Sequence, residues 1–112
     1  YRDVLGLPFH GVETIESLHV EVAFFSCGGA EIELVHGTAP EAAVCRFIEE
    51  KGEGLYHIAF EVDDVQKTLD GYMAQGVLAR DKAPKPGARG TTVAFLRAES
   101  TGGVMTELVQ KP

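Results

Sequence analysis

The chain has 112 residues, 45% of them hydrophobic, and a formal net charge of −7. This predicts a single compact domain, and the lack of a long apolar run or of a signal-peptide pattern predicts a soluble, cytoplasmic protein with no membrane partner. The acidic balance excludes a broad basic surface for nucleic acid, and Cys27 and Cys45 are too few for a disulfide scaffold and are expected to be free thiols.

Strands are predicted where short runs of β-branched and aromatic residues are bounded by glycine or turn residues. In chain order these runs are 19–25, 30–35, 55–62, 77–80, 91–97 and 104–110.

Two segments between these strands predict helices. The first starts with a capping box from Thr38 to Glu41, has an apolar face, and ends at Gly52. The second starts at Asp63, with Gln66 three residues later, and ends at Gly76. Its predicted apolar face consists of Val65, Leu69, Tyr72 and Met73.

An internal repeat relates the two halves of the chain. Residues 22–25, Val-Ala-Phe-Phe, precede a glycine turn and Glu33-Leu34-Val35; residues 93–96, Val-Ala-Phe-Leu, precede a glycine turn and Glu107-Leu108-Val109. Tyr1 and Tyr72 extend the match, so Tyr1 is expected to end a helix. Because the second copy begins with a strand and a helix, the repeat predicts equivalent elements before Tyr1.

Three side chains are candidate metal ligands. Strand alternation places Glu33, Glu107 and His57 opposite their apolar neighbours. A curved sheet made of two copies would pack its apolar face under the helices and turn these three residues towards one concavity. One imidazole and two carboxylates suit a divalent metal. Such a pattern is also typical of the solvent-exposed face of a sheet, but the duplication favours the metal site. His19 and His36 are expected to be surface residues.

Basic residues are concentrated in a segment rich in proline and glycine. Four of the ten lie there, namely Arg80, Lys82, Lys85 and Arg89. The segment is either a solvated loop or a contact for a phosphate-bearing ligand.

Four motifs together resemble the methylmalonyl-CoA epimerase family of the vicinal oxygen chelate (glyoxalase/bleomycin resistance/dioxygenase) superfamily. They are Tyr-Arg-Asp-Val-Leu-Gly-Leu at 1–7, Ala-Glu-Ile-Glu-Leu-Val at 30–35, the segment from Gly52 to Val65, and Ser-Thr-Gly-Gly-Val-Met-Thr-Glu-Leu-Val at 100–109. Pro-Lys-Pro-Gly-Ala-Arg-Gly at 84–90 fits the same family.

The resemblance implies an α+β fold in which two βαβββ modules form a curved mixed sheet around a metal-binding concavity. Residues 1–36 would be a partial first module lacking its N-terminal strand, 37–54 a helical linker and 55–112 the second module. Two explanations for the missing strand are open. The sequence is either a piece of a longer chain or a short form whose metal site is impaired or completed by another chain.

The resemblance also implies an activity. The protein would interconvert the (R) and (S) forms of methylmalonyl-CoA by 1,1-proton transfer through an enolate stabilised by a divalent metal, such as cobalt, manganese, nickel or zinc. His57, Glu107 and Glu33 would be metal ligands, with a further histidine on the first strand. Glu107 would also take one of the two acid–base roles in catalysis, and the other would belong to Glu33 or to a residue that the sequence does not identify. Lys82, Lys85 and Arg89 would bind the phosphates of coenzyme A, and the protein would be a homodimer. The alternatives are a glyoxalase-type lyase and a metal-free small-molecule binding protein.

Overall fold

The computed structural model describes residues 1–112, and the chain divides into two compact units, residues 1–54 and 55–112. Neither unit contains a helix with the length and apolarity needed to span a membrane. Both cysteines are free, as expected, and His19 and His36 are exposed. The proposed division into a partial module, a linker and a complete module stays a prediction.

The N-terminal unit is an antiparallel sheet of three strands followed by one helix. The strands are β1 (Phe9–Ile15), β2 (Val20–Cys27) and β3 (Ala30–Gly37), and the helix is α1 (Ala43–Lys51). β2 is the central strand, and its apolar side chains are buried on both faces. α1 packs on the end of β3, where a side chain at Gly37 would collide with Cys45 and Val44.

The C-terminal unit contains a mixed sheet of four strands covered by one helix. The strands are β4 (His57–Glu61), β5 (Lys85–Pro86), β6 (Thr92–Leu96) and β7 (Met105–Gln110), and the helix is α2 (Val65–Ala74). The sheet order is β4-β7-β6-β5, with β4 parallel to β7 and the other pairs antiparallel. The buried residues Val65, Leu69, Ala94, Leu96 and Leu108 form one hydrophobic cluster between α2 and the sheet.

The expected apolar layer of β4 is not buried. Ile58 is 45% exposed and Phe60 is 56% exposed. The prediction that this face packs under a helix holds only at the end of the strand, where Val62 packs against the hydrophobic cluster; Ile58 and Phe60 are left exposed because β4 is an edge strand and α2 packs mainly on β6 and β7. The strand predicted at 77–80 is wrong, since only an isolated bridge joins Ala79 to Leu96.

Both helices begin later than predicted. α1 has Ala42 at its N-cap, and alanine has no side-chain oxygen to accept a capping hydrogen bond. The Thr38 N–H, which a capping box would use, donates instead to the His19 carbonyl. In α2 the cap is Asp64 instead of Asp63, and its Oδ1 accepts a 2.9 Å hydrogen bond from the Lys67 N–H. The predicted capping boxes are therefore wrong in position.

The C-terminus of α2 confirms the role predicted for Gly76. The Gly76 N–H donates to the Met73 carbonyl at 3.0 Å, and the Val77 N–H donates to the Tyr72 carbonyl at 3.1 Å. This pattern requires a left-handed residue, and Gly76 has φ +87°. At the start of the chain, the Tyr1 carbonyl accepts from the Leu7 N–H at 3.1 Å, next to a turn at residues 3–5. The helix expected to end at Tyr1 stays a prediction.

The register of the strands confirms the internal repeat. Phe24 is opposite Glu33 between β2 and β3, and Phe95 is opposite Glu107 between β6 and β7. Each glutamate thus has the same position in its own sheet. The longer second spacing is taken up by a short 3-10 turn, Ala98–Ser100, between β6 and β7.

Candidate active site

His57 and Glu107 form a close pair at the β4 edge of the C-terminal sheet. The parallel register sets Ala59 opposite Glu107 and His57 opposite Met105, so the two side chains are diagonal neighbours on one face. His57 Nε2 lies 2.9 Å from Glu107 Oε2, and the side chains are only 15% and 13% exposed. The structure therefore brings together two of the three residues that the sequence singled out.

Aromatic rings fix the imidazole in place. The Phe95 ring centroid is 5.2 Å from that of His57 at an interplanar angle of 77°, and the Tyr56 ring is also 5.2 Å away. Phe95 is buried and is the cross-strand partner of Glu107. Both members of the pair therefore contact or face the same ring.

One polar atom of the pair lacks a partner. His57 Nδ1 is buried and makes no hydrogen bond. An unsatisfied buried polar atom costs about 1–3 kcal/mol, so its presence needs an explanation, of which catalysis and a bound ion are two. We therefore treat this pair as the centre of the candidate site.

The pair fits two positions of a metal site. Histidine nitrogen and carboxylate oxygen bind ions such as Zn²⁺ at about 2.0–2.2 Å, so two donors 2.9 Å apart can both reach one ion. No group of three or more His, Cys, Asp or Glu side chains is arranged to hold a metal. His57 and Glu107 are therefore two candidate ligands, and the remaining ligands stay predictions.

Glu33 belongs to the N-terminal unit. It lies on β3 opposite Phe24, on the face away from Ile32 and Leu34, and it is exposed. Its equivalence to Glu107 follows from the register within each sheet. Its participation with His57 and Glu107 in one site stays a prediction.

Two cationic side chains lie near the Phe95 ring. Lys85 Nζ is 5.3 Å from the ring centroid and 3.1 Å from Asp81 Oδ1, while Asp81 Oδ2 accepts a 3.0 Å hydrogen bond from the Phe95 N–H. The Arg80 guanidinium carbon is 5.9 Å from the same centroid. Lys85 thus lies near Phe95, the ring that contacts His57, whereas Lys82 and Arg89 are exposed residues of the loop. Coenzyme A binding by these three residues stays a prediction.

Sequence reasoning did not identify Phe95, Asp81 or Arg80 as neighbours of the pair. The repeat contained a signal for Phe95, because it has the position relative to Glu107 that Phe24 has relative to Glu33. Asp81 and Arg80 follow an irregular segment with only an isolated bridge, so strand alternation could not orient their side chains.

Comparison with known proteins places the chain in a family. The model of the Glyoxalase/Bleomycin resistance protein/Dioxygenase superfamily matches residues 1–95. An uncharacterized protein of Bacillus subtilis, YqjC, is 39% identical over 98% of this chain and 79% of its own length. The mitochondrial methylmalonyl-CoA epimerase of Mus musculus is 31% identical over 98% of this chain, which spans only 62% of that enzyme.

Solved structures agree with the sequence comparison. A hypothetical protein from Bacillus halodurans has a TM-score of 0.95 and 36% identity, with 100% of this chain and 81% of that chain covered. A methylmalonyl-CoA epimerase in complex with methylmalonyl-CoA and NH4+ has a TM-score of 0.89 and 29% identity, with 99% and 81% covered. The α+β fold expected from the sequence is confirmed, and the chain belongs to the Glyoxalase/Bleomycin resistance protein/Dioxygenase superfamily.

Proposed function

We propose that the protein is a metal-dependent epimerase that interconverts (R)- and (S)-methylmalonyl-CoA by 1,1-proton transfer. The observation that carries the proposal is the His57–Glu107 pair, with 2.9 Å between Nε2 and Oε2, half-enclosed by aromatic rings. The similarity to methylmalonyl-CoA epimerases supports the choice of substrate. Homodimer formation is part of the same proposal.

The residues of the site would have two tasks, metal binding and orientation of the imidazole. Glu107 Oε2 and His57 Nε2 would hold the divalent ion, whose identity among cobalt, manganese, nickel and zinc is open, and Glu33 would complete the ligand set. When bound, such an ion supplies Lewis-acid polarisation of a carbonyl oxygen. Phe95 and Tyr56 would keep the imidazole in one orientation and restrict water around it.

Epimerisation requires one proton to leave and another to arrive on the opposite face. A carboxylate oxygen of Glu107 would take the α-proton as the C–H bond breaks, and the electron pair would move towards the thioester carbonyl. A carboxyl group in a ligand position can exchange between metal and proton, so Glu33 in its protonated, unligated form would return a proton to the other face. After one turnover Glu107 holds a proton and Glu33 has lost one, so both exchange with solvent before the next cycle.

Solvent exchange provides a direct test. In deuterium oxide, the protein with added manganese or cobalt should incorporate deuterium at the α-carbon of methylmalonyl-CoA, measured by mass spectrometry. Glu107→Gln should reduce the rate by at least about 100-fold, the usual contribution of a positioned acid or base. Glu61→Gln is the matched control, because Glu61 forms an exposed ion pair with Lys111.

Three outcomes would contradict the proposal. Equal exchange by the wild-type protein and Glu107→Gln would remove Glu107 from proton transfer. Absence of exchange with every metal, together with turnover of a hemithioacetal of glutathione, would favour the glyoxalase-type lyase. Binding of methylmalonyl-CoA without any turnover would favour the metal-free binding protein.

A further inference from the structure

We propose that Arg80 is a specificity-determining residue that binds the free carboxylate of the acyl group, so that the site selects malonyl-type thioesters over neutral acyl thioesters. This inference rests on the proposed function for the identity of the thioester. It concerns a residue of the C-terminal unit for which the sequence predicted no individual role.

Each carboxylate around Phe95 has a partner, whereas the Arg80 guanidinium has no carboxylate partner. Glu107 is paired with His57, and Asp81 is paired with Lys85 at 3.1 Å. Arg80 forms no ion pair with a carboxylate; its Nη1 donates only to Met105 Sδ at 3.5 Å. A thioether sulfur is a weak acceptor, so the guanidinium keeps most of its hydrogen-bonding capacity.

The position of Arg80 relates it to the pair. Met105, which the guanidinium contacts, is the cross-strand partner of His57 in the parallel register of β4 and β7. The guanidinium also lies over Phe95, the ring that His57 contacts at its edge. Arg80 therefore contacts two residues, Met105 and Phe95, that are both neighbours of His57.

The contacts with Phe95 and Met105 orient the guanidinium without neutralising it. An arginine held over an aromatic face keeps its donors directed sideways, in the planar fork that fits a carboxylate with two hydrogen bonds. A carboxylate brings one negative charge to a guanidinium that has no carboxylate partner. A neutral propionyl thioester lacks that group and gains nothing from Arg80.

The anionic group could also be a phosphate of coenzyme A, and binding measurements distinguish the two sources. Calorimetric titration of the protein with malonyl-CoA, propionyl-CoA and coenzyme A compares ligands that share every phosphate and differ in the carboxylate. Arg80→Met should weaken malonyl-CoA binding by about tenfold, or about 1.4 kcal/mol, and leave the other two unchanged. Arg80→Lys should lose less, because it keeps the charge and loses the fork.

Arg97→Met is the matched control, since Arg97 is an exposed arginine already paired with Glu99 at 2.9 Å. It should change none of the three affinities. Equal weakening of all three ligands by Arg80→Met would assign Arg80 to a phosphate and overturn the inference, as would unchanged malonyl-CoA binding. Because binding is measured without turnover, failure of the epimerase proposal would appear instead as absent deuterium exchange with carboxylate selectivity intact.

Discussion

At the scale of single residues, the assignment of His57 as a metal ligand predicts metal-dependent stabilisation. A ligand that binds only the folded protein raises the free energy of unfolding by about 2.7 kcal/mol at 100 times its dissociation constant. Manganese or cobalt should therefore raise the Tm of the wild-type protein in differential scanning calorimetry. This rise should disappear in His57→Ala and persist in His36→Ala, because His36 is an exposed residue of the N-terminal sheet. An equal rise in all three proteins would show that the metal binds elsewhere.

The same residues show how far the sequence could predict the site. Strand alternation and the repeat were sufficient to select His57 and Glu107, because each depends only on its position within a regular strand. The 2.9 Å contact between them depends on the parallel register of β4 and β7, which joins segments nearly fifty residues apart. Arg80 was not predictable, since no regular element orients it. The sequence therefore predicts the site residues that lie on regular strands and does not predict those that lie in loops.

At the scale of secondary-structure elements, the cap of α2 gives a sharp comparison between adjacent aspartates. Asp64 Oδ1 accepts a hydrogen bond from the Lys67 N–H, whereas Asp63 precedes the cap. Asp64→Ala should lower the free energy of unfolding by about 1 kcal/mol, measured by urea denaturation. Asp63→Ala should change it by less than about 0.5 kcal/mol. If the two variants lost equal stability, the helix would not begin where the structure places it.

The elements that the sequence missed share a physical cause. β1 was not predicted because its pairing with β2 shifts register between Phe9 and Val12, around Gly11 with φ +99°. Such a bulge breaks the alternation by which a strand is recognised. β5 is only two residues long and contains Pro86, which weakens any strand signal. Long regular strands such as β2 and β7 were found, since alternation persists along them.

At the scale of the whole molecule, the duplicated register gives each unit its own buried residues. The cluster around Leu69, which is 0% exposed, lies entirely within residues 55–112, while Val22 is buried in the N-terminal sheet. A leucine-to-alanine substitution in a core costs about 2–5 kcal/mol, because it leaves a cavity that relaxes only partly. The location of that loss should depend on which unit contains the cavity.

Amide hydrogen exchange can locate the loss, since it resolves openings smaller than global unfolding. Leu69→Ala should accelerate exchange in β6 and β7 more than in β2, and Val22→Ala should do the reverse. The reason is that an opening of one unit exposes only the amides of that unit, so the cavity lowers the cost of that opening alone. If both variants accelerated exchange equally in β2, β6 and β7, the two units would unfold together. The duplication would then be a feature of the sequence that does not make the two units independently stable.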